Sequence, residues 1–256
     1  MGKIIAVFNQ KGGVGKTTTA VNLSACLSLK DKKVLLIDLD PQGNSSSGLG
    51  IERSALEVSI YDLLFSEGAQ ARDYIVSTPL PGLDVLPSTA DLAGAEVEMV
   101  NISSRETLLK IALETCKNDY DYLFIDCPPT LGLLSINALT AADSVLIPIQ
   151  CEYYALEGVS ELLRTIDLVR AASNPALQIQ GIVLSMYDGR TNLSIQVVEE
   201  VKKYFKDKVY TSIIPRNIRL AEAPSYGLPV ILYDPRSRGA DAYMQLADEF
   251  LEMEES

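Results

Sequence analysis

The stretch Asn9–Thr18, NQKGGVGKTT, decides the reading of this chain. Before it runs Ile4-Ile5-Ala6-Val7-Phe8, apolar and branched like a buried strand; after it, Thr19–Leu27 carries apolar residues at helical spacing. A strand, a glycine-rich turn and a helix N-terminus together make a phosphate cradle. Gly12, Gly13 and Gly15 let the backbone approach a ligand closely, Val14 sits among them, and the unpaired N–H groups of the first helical turn face the anion. In such a loop Lys16 reaches the β- and γ-phosphates and the Thr17 hydroxyl ligates Mg²⁺. The pattern G-x-x-x-x-G-K-S/T is matched imperfectly: Gln10 stands where the first glycine belongs, and Lys11 adds a lysine inside the loop. A second cation so close to Lys16 is repelled unless a polyanion lies between them.

Composition narrows the rest. A chain of 256 residues, 47% hydrophobic and 22% charged, suits one large α/β domain spanning 1–256. No apolar run approaches the roughly 18 residues that a membrane helix needs, and no signal peptide is read at the N-terminus. Cys26, Cys116, Cys127 and Cys151 lie far apart among apolar neighbours, as small buried hydrophobes do in a reducing compartment. There is no histidine, which excludes serine–histidine and cysteine–histidine catalysis and removes the commonest metal ligand. A net charge of −12 argues against the whole surface binding nucleic acid.

Further along, Lys33–Asp40 reads as a second buried strand ending in two carboxylates, followed by a loop through Pro41, Gly43 and the serines at 45 to 47. Two strands flanking one helix make a right-handed βαβ unit, whose ligand sits at the carboxyl ends of the strands. That puts Asp40 near the phosphates, while Asp38 reads as an ordinary loop carboxylate. A small helix is expected around Ile60–Phe65, a short strand at Leu83–Pro87, and a surface helix or linker over 89–101. An amphipathic helix is expected over Ser103–Lys117, with Leu108, Leu109, Ile111 and Leu113 as its stripe. Tyr122–Asp126 is a hydrophobic strand that delivers an aspartate just before Pro128-Pro129. A carboxylate there is costly to bury unless a cation meets it, which makes Asp126 the Walker B position beside Mg²⁺. Helix and strand then alternate: a loop and helix over Thr130–Thr140, a strand at Ser144–Gln150, a helix at Leu156–Arg170 and a strand at Ile179–Met186. They continue with a helix at Thr191–Phe205, a strand at Val209–Ile214 and an acidic helix at Ala240–Leu251. The fold expected is α/β, a doubly wound and mostly parallel sheet flanked by helices, as in P-loop NTPases.

KGGVGKTT, LLIDLDPQGN, LFIDCPP, IPRNIRLAEAPS (214–225) and ILYDPRSRGA (231–240) together resemble the ParA/Soj chromosome- and plasmid-partitioning ATPases, from Lys3 to about residue 250. The resemblance implies an ATP-dependent sandwich homodimer with ATP and Mg²⁺ as ligands. It also implies non-specific binding of double-stranded DNA, stimulation of hydrolysis by a ParB-type centromere-binding partner, and a cytoplasmic, nucleoid-associated location. Carried over by position, Lys11 is similar to the signature lysine of the deviant Walker A loop, which reaches the other subunit's phosphates. Lys16 and Thr17 are the ordinary P-loop lysine and magnesium ligand, with Thr18 beside them. Asp40 resembles the residue that positions the attacking water, and Asp126 the Walker B carboxylate, acting on the metal through water. Pro215 and Asn217 match the segment that holds the adenine, with Met186 packing on the base. Arg190 and Arg219 match arginines that the family uses on the DNA backbone.

Charge distribution agrees with a single DNA-facing surface. Between Arg190 and Arg238 the net charge is +4, against −16 over the rest of the chain. No base-reading pattern stands out, as expected for phosphate contacts without sequence readout; Lys202 and Lys203 are weaker candidates than the two arginines. A membrane-cycling MinD-like role needs a basic amphipathic C-terminus, and this one reads ADEFLEMEES. A metal-cluster carrier of the same superfamily needs paired cysteines, and a bacterial tyrosine kinase a tyrosine-rich tail; neither is present. The pair Tyr153-Tyr154 reads equally as core or interface.

Overall fold

The computed structural model describes residues 2–152 and 157–255, without the Glu157 side chain; Tyr153 and Tyr154 lie outside the described residues. Among the described residues seven strands form one sheet: β1 (Lys3–Val7), β2 (Val34–Asp38), β3 (Val76–Ser77), β4 (Leu83–Leu86), β5 (Tyr122–Asp126), β6 (Ser144–Gln150) and β7 (Gln178–Ser185). Their order is β3-β4-β2-β5-β1-β6-β7, parallel throughout except for the antiparallel edge pair β3–β4. β1 is therefore central, which explains its uninterrupted apolar sequence: both of its faces are covered.

Side-chain alternation along the strands splits the core into two layers. Ile4 and Ala6 face one layer with Leu35, Ile37, Leu123 and Ile125; Ile5 and Val7 face the other with Val34, Leu36 and Phe124. The first layer is closed by α3 (Ile60–Phe65), α4 (Leu92–Met99), α5 (Leu108–Glu114), α6 (Leu133–Ala141), α7 (Glu157–Ala172) and α8 (Asn192–Phe205). The second is closed mainly by α1 (Lys16–Ser28) and α11 (Arg238–Glu255), where Phe250 packs on Phe124 with ring centroids 5.9 Å apart. Among the described residues there are also three short α-helices: α2 (Asn44–Gly48), α9 (Ile218–Glu222) and α10 (Val230–Tyr233).

Three expectations are corrected. The helix foreseen over Ser103–Lys117 holds only from Leu108 to Glu114, because Ser104 takes a left-handed φ of 57° and Arg105–Thr107 winds as a 3₁₀ turn. Its buried face is Leu109, Ala112 and Leu113, while Ile111 is 64% exposed. Val209–Ile214 runs beside β7 without becoming a strand. It meets β7 at one isolated bridge, Val209 to Ile182, and the Thr211 and Ser212 N–H groups are taken by the Glu249 carboxylate instead of a ladder. The serines at 45 to 47 are helical, in α2, which starts at a left-handed Gly43.

Candidate active site

Parallel pairing brings the site together. The register sets Val7 opposite Asp126 and Asp126 opposite Asp38, so three strand ends open at one level. The loop after β1 is fixed by its own polar residues. Asn9 Nδ2 donates to Pro148 O at 2.7 Å, and Asn9 Oδ1 accepts from the Lys11 N–H at 3.0 Å. Gln10, the departure from the glycine pattern, reaches out of the loop: its Nε2 donates to Thr165 Oγ1 on α7 at 2.7 Å. Ser185 Oγ, at the end of β7, donates to Val14 O at 2.8 Å. Gly13 and Gly15 take φ of 73° and 88°, a region that side-chain-bearing residues resist, so the backbone N–H groups can turn inward ahead of α1.

The two lysines are in different situations. Lys16 is 7% exposed and donates from Nζ to Lys11 O at 3.1 Å, inside the loop. Burial lowers its pKa, and the carboxylates of Asp126 and Asp40 act against that shift. The Lys11 ammonium sits at the half-buried rim and has no ion-pair partner among the described residues, although its backbone is fully engaged.

Asp126 and Asp38 are both wholly buried. Asp126 Oδ2 accepts from Ser45 Oγ at 2.6 Å, while Oδ1 is buried without a hydrogen-bond partner. Burial and the neighbouring Asp38 push its pKa up to about 7, with the Ser45 and Thr17 hydroxyls pulling the other way. Asp38 is more than a loop carboxylate: its Oδ2 accepts both the Ser46 N–H at 2.8 Å and the Ser46 hydroxyl at 2.7 Å, and burial raises its pKa to about 6. Two adjacent buried carboxylates cannot both ionise without a countercharge. The orphaned Asp126 Oδ1 and the nearby Thr17 hydroxyl are a donor set that fits Mg²⁺ shared with phosphate oxygens, since Mg²⁺ prefers few protein ligands. Asp40 lies beyond β2 on a half-buried turn, where its Oδ1 accepts the Gln42 N–H at 2.9 Å.

Met186, Pro215 and Asn217 line one cavity of about 230 Å³ together with Gly15 and Thr18, so the expected base site borders the phosphate loop. Backbone pairing holds its walls: Tyr187 N–H donates to Ile214 O at 3.0 Å and Arg216 N–H to Tyr187 O at 2.9 Å. Asn217 caps α9, its Oδ1 accepting the Arg219 N–H at 2.8 Å. Arg190 and Arg219 are surface residues, both paired. Arg190 forks onto Asp188 at 2.6 and 2.8 Å and draws that carboxyl's pKa down to about 2; Arg219 meets Glu222 at 2.7 Å and Asp234 at 3.2 Å. Lys202 and Lys203 lie in the last turn of α8. The sequence reading missed Asp38, Ser45 and Ser46. A run of hydroxyls just past two carboxylates carried the signal, but only the register of β2 on β5 turns it into contacts.

Comparison with known proteins gives consistent matches. Residues 2–179 fit the family model described as an AAA domain. The sporulation initiation inhibitor protein Soj of Bacillus subtilis (strain 168) is 63% identical over 249 residues, 97% of this chain and 98% of that protein. The chromosome partitioning protein ParA of Myxococcus xanthus (strain DK1622) is 53% identical over 251 residues, 98% and 88% of the two chains. Among solved structures, a cobyrinic acid a,c-diamide synthase from Mycobacterium smegmatis with bound ADP and magnesium superposes with a TM-score of 0.87. It is 39% identical, over 100% of this chain and 96% of that one.

Proposed function

The chain belongs to the ParA/Soj chromosome-partitioning ATPases, and from that premise we propose that it binds ATP with Mg²⁺, closes on a second copy through Lys11, and holds DNA in that state. Hydrolysis is stimulated by a ParB-type centromere-binding partner and returns the protein to monomers. The observation that carries this reading is the contrast between the two loop lysines: Lys16 turned into its own cradle, Lys11 at the rim with a cation that no carboxylate of the described chain neutralises.

Each residue then has a task. The N–H groups of Gly12–Thr18 wrap the phosphates and Lys16 neutralises them from within. Thr17 and Asp126 would hold Mg²⁺, Asp126 through a water. Held there, Mg²⁺ would supply positive charge against the charge that develops on the phosphates. Lys11 supplies a further cation from the opposite subunit, in the manner of an arginine finger, so that association and turnover are linked. Asp40 orients the attacking water, a task that needs no histidine. Met186, Pro215 and Asn217 enclose the base.

For DNA, Arg190 and Arg219 exchange their carboxylate partners for backbone phosphates, which gives binding without sequence preference. Two such contacts per protomer predict a log–log slope of affinity against salt of about −3 to −4 for a dimer. The test is a DNA gel shift on random-sequence duplex with ATP, with ADP and without nucleotide, at low and physiological salt. ATP-dependent binding that weakens steeply with salt is expected; binding indifferent to both nucleotide and salt contradicts the proposal.

A further inference from the structure

The turn that carries Asp40 is held from outside by a residue that no phosphate-loop pattern includes. Arg53, in the 3₁₀ turn Arg53–Ala55, directs three hydrogen bonds at backbone carbonyls. Its Nη2 donates to Pro41 O at 2.9 Å, its Nη1 to Gln42 O, and its Nε to Ser88 O at 3.0 Å. The guanidinium therefore staples the two residues after Asp40 to Ser88, two residues past β4. No carboxylate competes for it among the described residues, unlike most of the chain's arginines.

Gly43 shows that the fit is close. It is buried, takes a φ of 64°, and a Cβ built there would stand 2.2 Å from Arg53 Cζ. The plane of the guanidinium lies directly against this glycine, so turn and arginine form one unit. Within the turn, the Gly43 N–H donates to Asp40 O at 2.9 Å and the Gln42 N–H to Asp40 Oδ1 at 2.9 Å. Two and three residues after Gly43 come Ser45 and Ser46, which bond to Asp126 and Asp38. A flexible turn here would loosen Asp40 and the supports of both buried carboxylates together. A planar fork with fixed donors suits two successive carbonyls, where an ammonium could satisfy one at a time.

We propose that Arg53 is a positioning residue for Asp40: its guanidinium clamps Pro41 and Gln42 so that the Asp40 carboxylate is fixed before ATP arrives. The catalytic consequence rests on the reading of Asp40 as the residue that orients the attacking water.

Arg53→Ala and Arg53→Lys are compared with the native chain and with Asp40→Ala, using the full protein. In Arg53→Ala, amide exchange across residues 41–46 is expected to quicken. The kcat for Mg-ATP is expected to fall about tenfold, in line with the loss caused by misplacing a catalytic group, while the dissociation constant for ATP changes less than about twofold. Arg53→Lys should recover part of kcat. Native exchange and native kcat in Arg53→Ala overturn the clamp. So does a loss of ATP affinity in step with kcat, which marks general loosening. Quickened exchange with native turnover in both Arg53→Ala and Asp40→Ala instead overturns the role given to Asp40.

Discussion

Asp40→Ala is expected to lower ATP turnover by about a hundredfold or more, within the range that a positioned acid–base group contributes, while ATP-dependent dimers still form. The chain offers no substitute. It has no histidine, and the two other carboxylates at the strand ends are occupied. Asp38 is wholly buried and bonded twice to Ser46; Asp126 is wholly buried, bonded to Ser45, and has its pKa pushed up to about 7. Neither can swing to a water at the γ-phosphate without leaving a buried serine unpaired. Phosphate release measured beside molecular mass in ATP separates the two effects. Native turnover in this variant removes Asp40 from the chemistry, and loss of the dimer alongside turnover assigns it to assembly.

Lys11→Ala is expected to abolish dimerisation in ATP and bring turnover to background, with ATP binding retained. Lys16 supplies the in-chain cation from a buried position, and the Lys11 side chain makes no hydrogen bond to its own loop; its backbone N–H and C=O do that work and survive the substitution. The fold of the loop should therefore be unchanged, and fluorescent ATP should bind with nearly native affinity. Sedimentation of the variant in ATP gives the answer directly: a monomer is expected, and a dimer refutes the assignment.

Much of this is legible in the amino-acid sequence. The phosphate loop, Asp126 at a strand end and the continuous apolar strands were legible because parallel sheets bury both faces and leave runs without alternation. The strand Ser144–Gln150 and the helix Ile60–Phe65 lie where the pattern put them. What stayed hidden depends on long-range pairing. Asp38 looks like any loop aspartate until β2 is laid on β5. Val209–Ile214 has strand composition, yet Glu249 from a helix far along the chain takes its N–H groups. Arg53 lies in a turn with no periodicity, and its partners are backbone carbonyls, which leave no trace in side-chain patterns. Gln10 looks like a defect in a motif; in the fold it ties the loop to α7 through Thr165.

The central claim is that each phosphate site draws Lys16 and Asp40 from one subunit and Lys11 from the other. Mixing Lys11→Ala with Asp40→Ala tests it most directly. Neither variant alone turns over ATP on this account. In the mixed dimer, which keeps one of the two crossing lysines and whose formation in ATP is checked by its mass, the Lys11→Ala subunit keeps Lys16 and Asp40 and receives Lys11 from its Asp40→Ala partner, which completes one site. Phosphate release should therefore reappear on mixing, rising with the proportion of mixed dimers and staying at or below half the native rate per dimer. If Lys11 serves the phosphates of its own chain, no site in the mixture is complete, and turnover that stays at background would contradict the two-subunit site.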